Sequence, residues 1–578
     1  MIKTEKNKVI KKKRTLFQKI VNIFLYSCIG LFIFILLFLG ISQTSTFREY
    51  LRKTVVEQVN KNLYGTLYIG KIDGTIFTSL ILRNTVLNMG KDTLLNAGKI
   101  EIRTSPLQLL LKKIKIRKFE IVQADISLIT DSTGRLNISK LTPPSSPDTS
   151  KSTFPFKIEV TNLSLININF SLQRFDFEGS KVYYDFLNLN DFRVNNLKLS
   201  LNAFADIKNN EFELDLMELS FIPNINNFTL EKLSGQFAVN KKELFANNLK
   251  IKTSNSEILF KIKAIHNVFD SKSDFSKANL DLSIYSEKIN IQDVSPFVPS
   301  LKVFKGPLAI KVKCNGTLKD FAFHQIDIKL LNSHIETKGV VKNLDNPKQM
   351  FISAKFQDTY LNQTDFDKLL PTLNLPVYEK LGVLRFDTLT FSGHPLNFIT
   401  SIALKTDKGK VFAKAGLNFE QKPMKYNINF STLGLDISPF VNFVSDLNSN
   451  GTIKGSGIKP DEMNAVVSFY ADGSSLNGNN IDNFSLNADA KDKNINYDLN
   501  LVSDTSSITL NGNIKFITDN NINYKFTGDI KKLDLYKFVK DSSLISSLNF
   551  SINAEGDGFN QDNLDLYLTF LLKNSTIN

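Results

Sequence analysis

The residues of this chain whose types could do chemistry are few and scattered. Four histidines occur, His266, His324, His334 and His394, at no spacing that would converge on a metal ion. His394 stands beside Pro395, in a turn. The two cysteines are Cys28 and Cys314. Cys28 lies in a long apolar run, which excludes a disulfide framework, and Cys314 has no base close in sequence and reads as a core thiol. Nucleophile-elbow, phosphate-loop, zinc-protease and dinucleotide motifs are absent. One acidic residue does recur. Asp293, Asp365, Asp436 and Asp534 each open a copy of D-x-x-x-F/L-V/L, with starts 72, 71 and 98 residues apart. Aspartate is a favoured helix N-cap, so each copy reads as the start of a short helix rather than as a catalytic carboxylate. No enzyme, cofactor or metal is expected.

The elements that must hold these residues begin with an anchor. Val21 to Ile41 holds 21 residues without a charge, enough helix to cross a hydrocarbon core of about 30 Å. Residues 1–20 carry eight basic residues against Glu5 alone, which is +7 of the formal net charge of +14. The positive-inside rule then keeps this tail in the cytoplasm and exports the body. A cleaved signal peptide would have a shorter apolar run ending in small residues, unlike Gly40-Ile41-Ser42-Gln43. With half the charge in the tail and the rest thinly spread, a nucleic-acid partner is not expected. Thr46 to Leu63 repeats apolar residues every four positions, and Thr46 with Glu49 suggests a capping box. This helix could lie on the membrane surface or pack on the first strands.

From Gly65 the helical period gives way to short strands with period-2 alternation. Leu197, Leu199 and Leu201 form one such set, and Phe212, Leu214 and Leu216 another. Leu280, Leu282 and Ile284, then Ile326, Ile328 and Leu330, and finally Leu564, Leu566 and Leu568 with Phe570, continue it. Residues between them are mostly polar, the pattern of antiparallel sheet with one wet face. Thr142 to Thr153, with three prolines, reads as an exposed loop. The repeated aspartate motif sits between strand runs that carry glycines, so the unit is one short helix plus several strands, and stacked units make an array. The apolar faces could close into a sandwich, or line a long trough filled by acyl chains, each buried CH₂ contributing about 0.8 kcal/mol. Alternation alone fits both.

Several stretches resemble the AsmA-like proteins, and within them the TamB family of translocation and assembly module subunits. They are Thr46–Leu51 (TFREYL), Gly65–Gly74 (GTLYIGKIDG), Leu80–Leu87, Ser105–Leu111 (SPLQLLL), Ile116–Ile121, Ala124–Leu128 and Gly134–Leu141, in that order over residues 16–175. Further on, Phe228–Gly235 and Asn248–Ser254 continue the style more loosely. The resemblance implies a mostly β protein with one N-terminal transmembrane helix, short interspersed helices and an elongated, curled antiparallel sheet forming an open groove. The expected organisation is a basic tail (1–20), an anchor (21–41), an amphipathic helix (46–63), an N-terminal β region (64–175, with the loop 142–153) and a repetitive groove (176–578). The implied setting is the bacterial inner membrane, single-pass, with the body periplasmic. The implied role is outer-membrane biogenesis, either by moving phospholipid between inner and outer membranes or by helping insertion or secretion of outer-membrane proteins through strand templating. A tethered structural β-solenoid with a filled interior is the third reading. Partners implied are the inner membrane, phospholipid acyl chains and an outer-membrane barrel protein. The distinct C-terminal domain that would meet the barrel is not recognisable, and strand rhythm still runs at Leu571–Asn578, so the chain reads as incomplete there. The fifteen residues from Leu197 to Leu568 named above are the expected groove lining.

Overall fold

The computed structural model describes residues 16–75, 79–141, 154–177, 181–270, 274–304, 306–365, 381–441, 443–518, 521–539, 542–558 and 564–577. The basic tail through residue 15 and the loop 142–153 lie outside them. The protein is mostly β, with 27 strands among the described residues. It divides into two compact units, Met1–Asn240 and Lys241–Asn578.

The first unit opens with helix α1 (Leu16–Ser42), of which Ile23–Ser42 is long and apolar enough to cross a membrane. Helix α2 (Ser45–Asn62) follows. Its N-cap is Thr44, which accepts from the Phe47 N–H at 3.2 Å, so the expected Thr46–Glu49 capping box does not form. Glu49 pairs instead with Arg52 at 2.6 Å, because one turn of helix brings the two side chains together. Eight strands come next: β1 (Thr66–Thr75), β2 (Ser79–Met89), β3 (Asp92–Thr104), β4 (Lys113–Thr130), β5 (Lys157–Arg174), β6 (Asp191–Asp206), β7 (Glu211–Pro223) and β8 (Leu230–Val239). Each pairs with the next in the chain.

All these ladders are antiparallel except β4–β5, which is parallel. This departs from the uniformly antiparallel expectation. The segment 131–156 is long enough to carry the chain back to the end it came from, which a parallel pair requires and a hairpin turn cannot do. The unit's small core lies where this pair meets β3. Ala97, Ile100, Ala124 and Ile168 are buried together, with Ile121, Leu165 and Leu197 packed on them.

Helix α2 answers one question that the sequence left open. It lies along the free edge of β1. Asn60 Oδ1 accepts from the Leu67 N–H at 2.6 Å, and its Nδ2 donates to the Leu67 carbonyl at 3.2 Å. Arg52 donates to the Ile69 carbonyl at 3.0 Å, and Arg48 meets Asp73 at 3.6 Å. The helix therefore runs antiparallel to β1 and satisfies an edge that would otherwise be open to pairing with another chain.

The second unit holds nineteen strands in one open ladder among the described residues. They are β9 (Glu243–Thr253), β10 (Glu257–Ile265), β11 (Asn279–Asn290), β12 (Pro307–Thr317), β13 (Asp320–Leu330), β14 (Ser333–Lys342) and β15 (Phe351–Leu361). Next come β16 (Leu384–His394), β17 (Asn397–Thr406), β18 (Gly409–Asn418), β19 (Lys425–Leu435), β20 (Ser445–Ser456) and β21 (Asn464–Leu476). The last are β22 (Asn479–Lys491), β23 (Asn494–Ser503), β24 (Ser506–Thr518), β25 (Asn521–Leu533), β26 (Ser546–Asp557) and β27 (Asp565–Ile577). Within the unit each strand packs on its chain neighbours, and among the described residues no facing sheet covers them.

The aspartate motif marks four of the longer connections of this unit, after β11, β15, β19 and β25. The spacings of 72 and 71 residues therefore correspond to four strands each, and the spacing of 98 to six. An even number of strands separates successive copies, so all four connections fall at the same end of the strands. In the last two copies the aspartate does accept from the chain two residues on, Asp436 from the Ser438 N–H at 2.9 Å and Asp534 from the Tyr536 N–H at 3.1 Å. Only the fourth copy continues into a helix, Tyr536–Val539, whereas the residues after Asp436 make a turn and not the expected helix. In the first two the cap is an asparagine three residues earlier. Asn290 accepts from the Gln292 N–H and Asn362 from the Thr364 N–H, each at 3.0 Å. The aspartate is then freed to turn back into the sheet.

Candidate functional site

The ladder registers assign every strand residue to a face. In the second unit one row across the sheet can be followed from Ala246 on β9 through Ile262, Leu282 and Cys314. It continues through Phe323, Gly339, Ala354, Phe391, Thr400 and Ala415. It then passes Ile428, Ile453, Val467, Ala488 and Tyr497, and ends with Gly512, Phe526, Ala554 and Leu568 on β27. No residue of this row is charged across nineteen strands. The neighbouring row on the opposite face is polar throughout from β14 to β27, running Lys338, Lys355, Thr390, Ser401, Lys414, Asn429, Thr452 and onward to Thr569.

The apolar face is uncovered. Its buried members are mainly small, such as Ala415, Ala554 and Cys314, whereas Leu282, Phe391, Ile428, Ile453, Val467 and Phe526 are half-buried. A sandwich or a filled solenoid would bury the large side chains first, so neither describes this unit. Burial pushes the Cys314 thiol above its ordinary range, consistent with an inert packing role.

Glycines on this face seat aromatic rings. A Cβ added to Gly339 would stand 2.7 Å from Phe323 Cζ, and one on Gly451 would stand 2.6 Å from Phe430 Cζ. At Gly512 an added Cβ would stand 2.7 Å from the Tyr497 hydroxyl, and at Gly556 it would stand 2.8 Å from the Tyr524 hydroxyl and closer still to the Asp565 carbonyl. Rings lie flat across the next strand and cover backbone that glycine leaves bare. The strand glycines were visible in the sequence, but their aromatic partners were not.

Of the expected lining, Leu280, Leu282 and Ile284 pair with Gly316, Cys314 and Val312, and Ile326 and Ile328 pair with Val312 and Ile310. With Leu330 on the same strand alternation, all six belong to the apolar face. Leu566 and Leu568 join it opposite Gly556 and Ala554. Leu564 is the exception, because it precedes β27 and lies outside the ladder. In the first unit Leu199 pairs with Leu219, Leu201 with Leu216, and Ala203 and Ala205 with Leu214 and Phe212. Leu197, across from Ile168, shares that face with the buried cluster.

One rim of the second unit is fastened by the recurring aspartates. Asp293, 5% exposed, accepts from Thr253 Oγ1 at 2.5 Å and Ser256 Oγ at 2.6 Å, tying its helical turn to the β9–β10 turn. Asp365, 1% exposed, accepts from the Asn332 N–H at 2.8 Å and Ser333 Oγ at 2.7 Å, tying to the β13–β14 turn. Asp436 takes Lys408 Nζ from the β17–β18 turn at 2.9 Å, and that ammonium holds its carboxyl well below the usual carboxylate range. The motif is a latch, with its acceptors consumed by the sheet.

The histidines stay apart. His334 Nε2 meets Asp327 at 3.0 Å, His394 Nδ1 the Met350 carbonyl at 2.9 Å, and His324 the Asn315 side chain at 2.9 Å. No group of three or more His, Cys, Asp or Glu able to hold a metal occurs among the described residues.

A model of the AsmA family matches residues 20–362. No curated protein matches the chain, and no solved structure does.

Proposed function

Because this chain belongs to the AsmA family, whose members act at membranes in envelope biogenesis and in lipid or protein transport, we propose that its apolar face carries phospholipid acyl chains between the inner and outer membranes. The family is not known for enzymatic activity. The observation that carries the reading is the uncharged row from Ala246 to Leu568. At about 4.8 Å per strand, nineteen strands give a path of about 85 Å along the ladder. That is longer than the whole hydrocarbon core of a bilayer, about 30 Å. Such a face suits a succession of acyl chains rather than one pocketed lipid. Each buried CH₂ contributes about 0.8 kcal/mol, while headgroups stay in water at the open side. Helix α1 anchors the protein, and the basic tail before it favours the inner membrane with a periplasmic body.

The test is a pair of photo-crosslinking residues one position apart. Purified full-length chain carrying the crosslinker at Val467 is expected to capture phospholipid, and at Ser468, on the opposite face, to capture none. Equal capture at both positions, or no co-purifying phospholipid, overturns the reading. Capture of polypeptide by a crosslinker on the edge strand β27, with no lipid captured at Val467, would select strand templating of client proteins instead.

A further inference from the structure

Between β3 and β4 the chain makes a short 3-10 helix, Pro106–Leu111, whose leucines face solvent. Leu107 is 78% exposed, Leu110 83% and Leu111 72%. Residues three apart stack on one side of such a turn, so Leu107 and Leu110 form one apolar knuckle. Phe154 and Phe156, with ring centroids 5.7 Å apart, adjoin it, because the Lys157 N–H donates to the Lys112 carbonyl at 3.0 Å. Nothing in the first unit covers this turn among the described residues.

Its place in the fold says what does. Helix α2 runs antiparallel to β1, and Arg48 in its first turn meets Asp73. Asp73 is level with Ile81 and Glu101 across β2 and β3. From Glu101, the end of β3 at Thr104 lies three residues further along the strand direction, about 10 Å at 3.3 Å per residue, and the leucine-bearing segment follows it. From Arg48, the start of α2 lies three residues further in the same direction, about 4–5 Å at 1.5 Å per residue. The leucines thus project toward, and beyond, the level at which α1 hands over to α2. Exposed Lys112 follows them directly, suited to anionic headgroups.

We propose that Leu107, Leu110 and Leu111 insert into the leaflet at the Ser42 end of α1, so that the first unit is seated on the bilayer by this turn as well as tethered by its helix. The chain has no tryptophan, so a single introduced one reports alone. Full-length Leu110→Trp and Lys91→Trp are reconstituted into vesicles of phosphatidylethanolamine and phosphatidylglycerol, with chains brominated near the headgroup as quencher. Lys91 lies in the β2–β3 turn at the other end of the same strands. Leu110→Trp is expected to show blue-shifted emission and several-fold stronger quenching than Lys91→Trp. Equal, weak quenching of the two overturns the proposal. So does a blue shift that depends on protein concentration and not on brominated lipid, which would assign the turn to a second copy of the chain. The readout is the depth of one side chain, so it stands or falls separately from lipid carriage by the second unit.

Discussion

The ring of Phe430 on β19 lies against the α-carbon of Gly451, its register partner on β20, so closely that an added Cβ would meet Cζ at 2.6 Å. Phe430 also stands 6.1 Å from Phe469 on β21, which continues the aromatic line along the floor. Gly451→Val should drive the ring off the sheet and cost about 1–3 kcal/mol by overpacking. The matching change Gly90→Ala, in a turn with open space around it, tests strain at φ +59° rather than packing. Denaturant midpoints with hydrogen exchange on β19–β21 check the first. Wild-type stability in Gly451→Val would show that the ring has room elsewhere.

The aspartate latches predict a local effect. Asp293→Ala leaves Thr253 and Ser256 hydroxyls buried without their acceptor, at a cost of about 1–3 kcal/mol. Amide exchange should quicken at the β9–β10 turn and stay unchanged on β17–β19. Uniform destabilisation across the unit would contradict a latch that acts on one turn.

Acid sensitivity should centre on Glu101 on the polar face of β3. Burial raises its pKa, but bonds from Lys99 at 2.7 Å, Arg103 at 2.6 Å and Lys118 at 3.2 Å outweigh that and take it from 4.5 to about 2. Its folded pKa is below its unfolded one, so its contribution is full above about 4.5 and lost as pH falls toward about 2. Glu101→Gln should cost about 1–3 kcal/mol at neutral pH, with the gap from wild type closing across that acid window. Urea unfolding of the first unit at several pH values measures it, and a pH-independent gap would mean the loss is steric.

Alternation makes a paired test of the apolar face. Leu282 and Ser283 are adjacent on β11, with Leu282 opposite Cys314 and Ser283 opposite Lys313. Leu282→Lys should abolish most phospholipid co-purification, because an ammonium on the face disfavours acyl chains. Ser283→Lys should leave it intact. The equivalent change on the first unit's face is Leu214→Lys. Equal lipid content in the Leu282→Lys and Ser283→Lys proteins would exclude this face as the lipid site.

Much of the molecule was legible before any coordinates. The apolar run, period-2 alternation and recurring motif indicated an anchor, one-sided strands and a repeat, because each follows from local periodicity. The spacings of 72, 71 and 98 residues indicated several strands between connections, and the structure made them four, four and six. Three features were not legible. The Asn290 and Asn362 caps displaced Asp293 and Asp365 because the partners of those aspartates lie in turns 32 to 40 residues away. The parallel β4–β5 pair depends on where a long connection leads, which alternation does not encode. Leu564 continued the alternation but falls outside the ladder, since a strand ends where its partner's hydrogen bonds end.

What the sequence by itself determined is which residues share a face of each strand and that one end carries a helix long and apolar enough to cross a membrane. Side-chain alternation and hydropathy are properties of the local chain. What only the tertiary structure decided is that those faces remain open rather than paired in a sandwich. Period-2 alternation is the same in both, and the difference rests on whether a second sheet comes to lie across the first. In Lys241–Asn578 every strand is spent on its chain neighbours, and the large apolar side chains of its uncharged row are left half-covered.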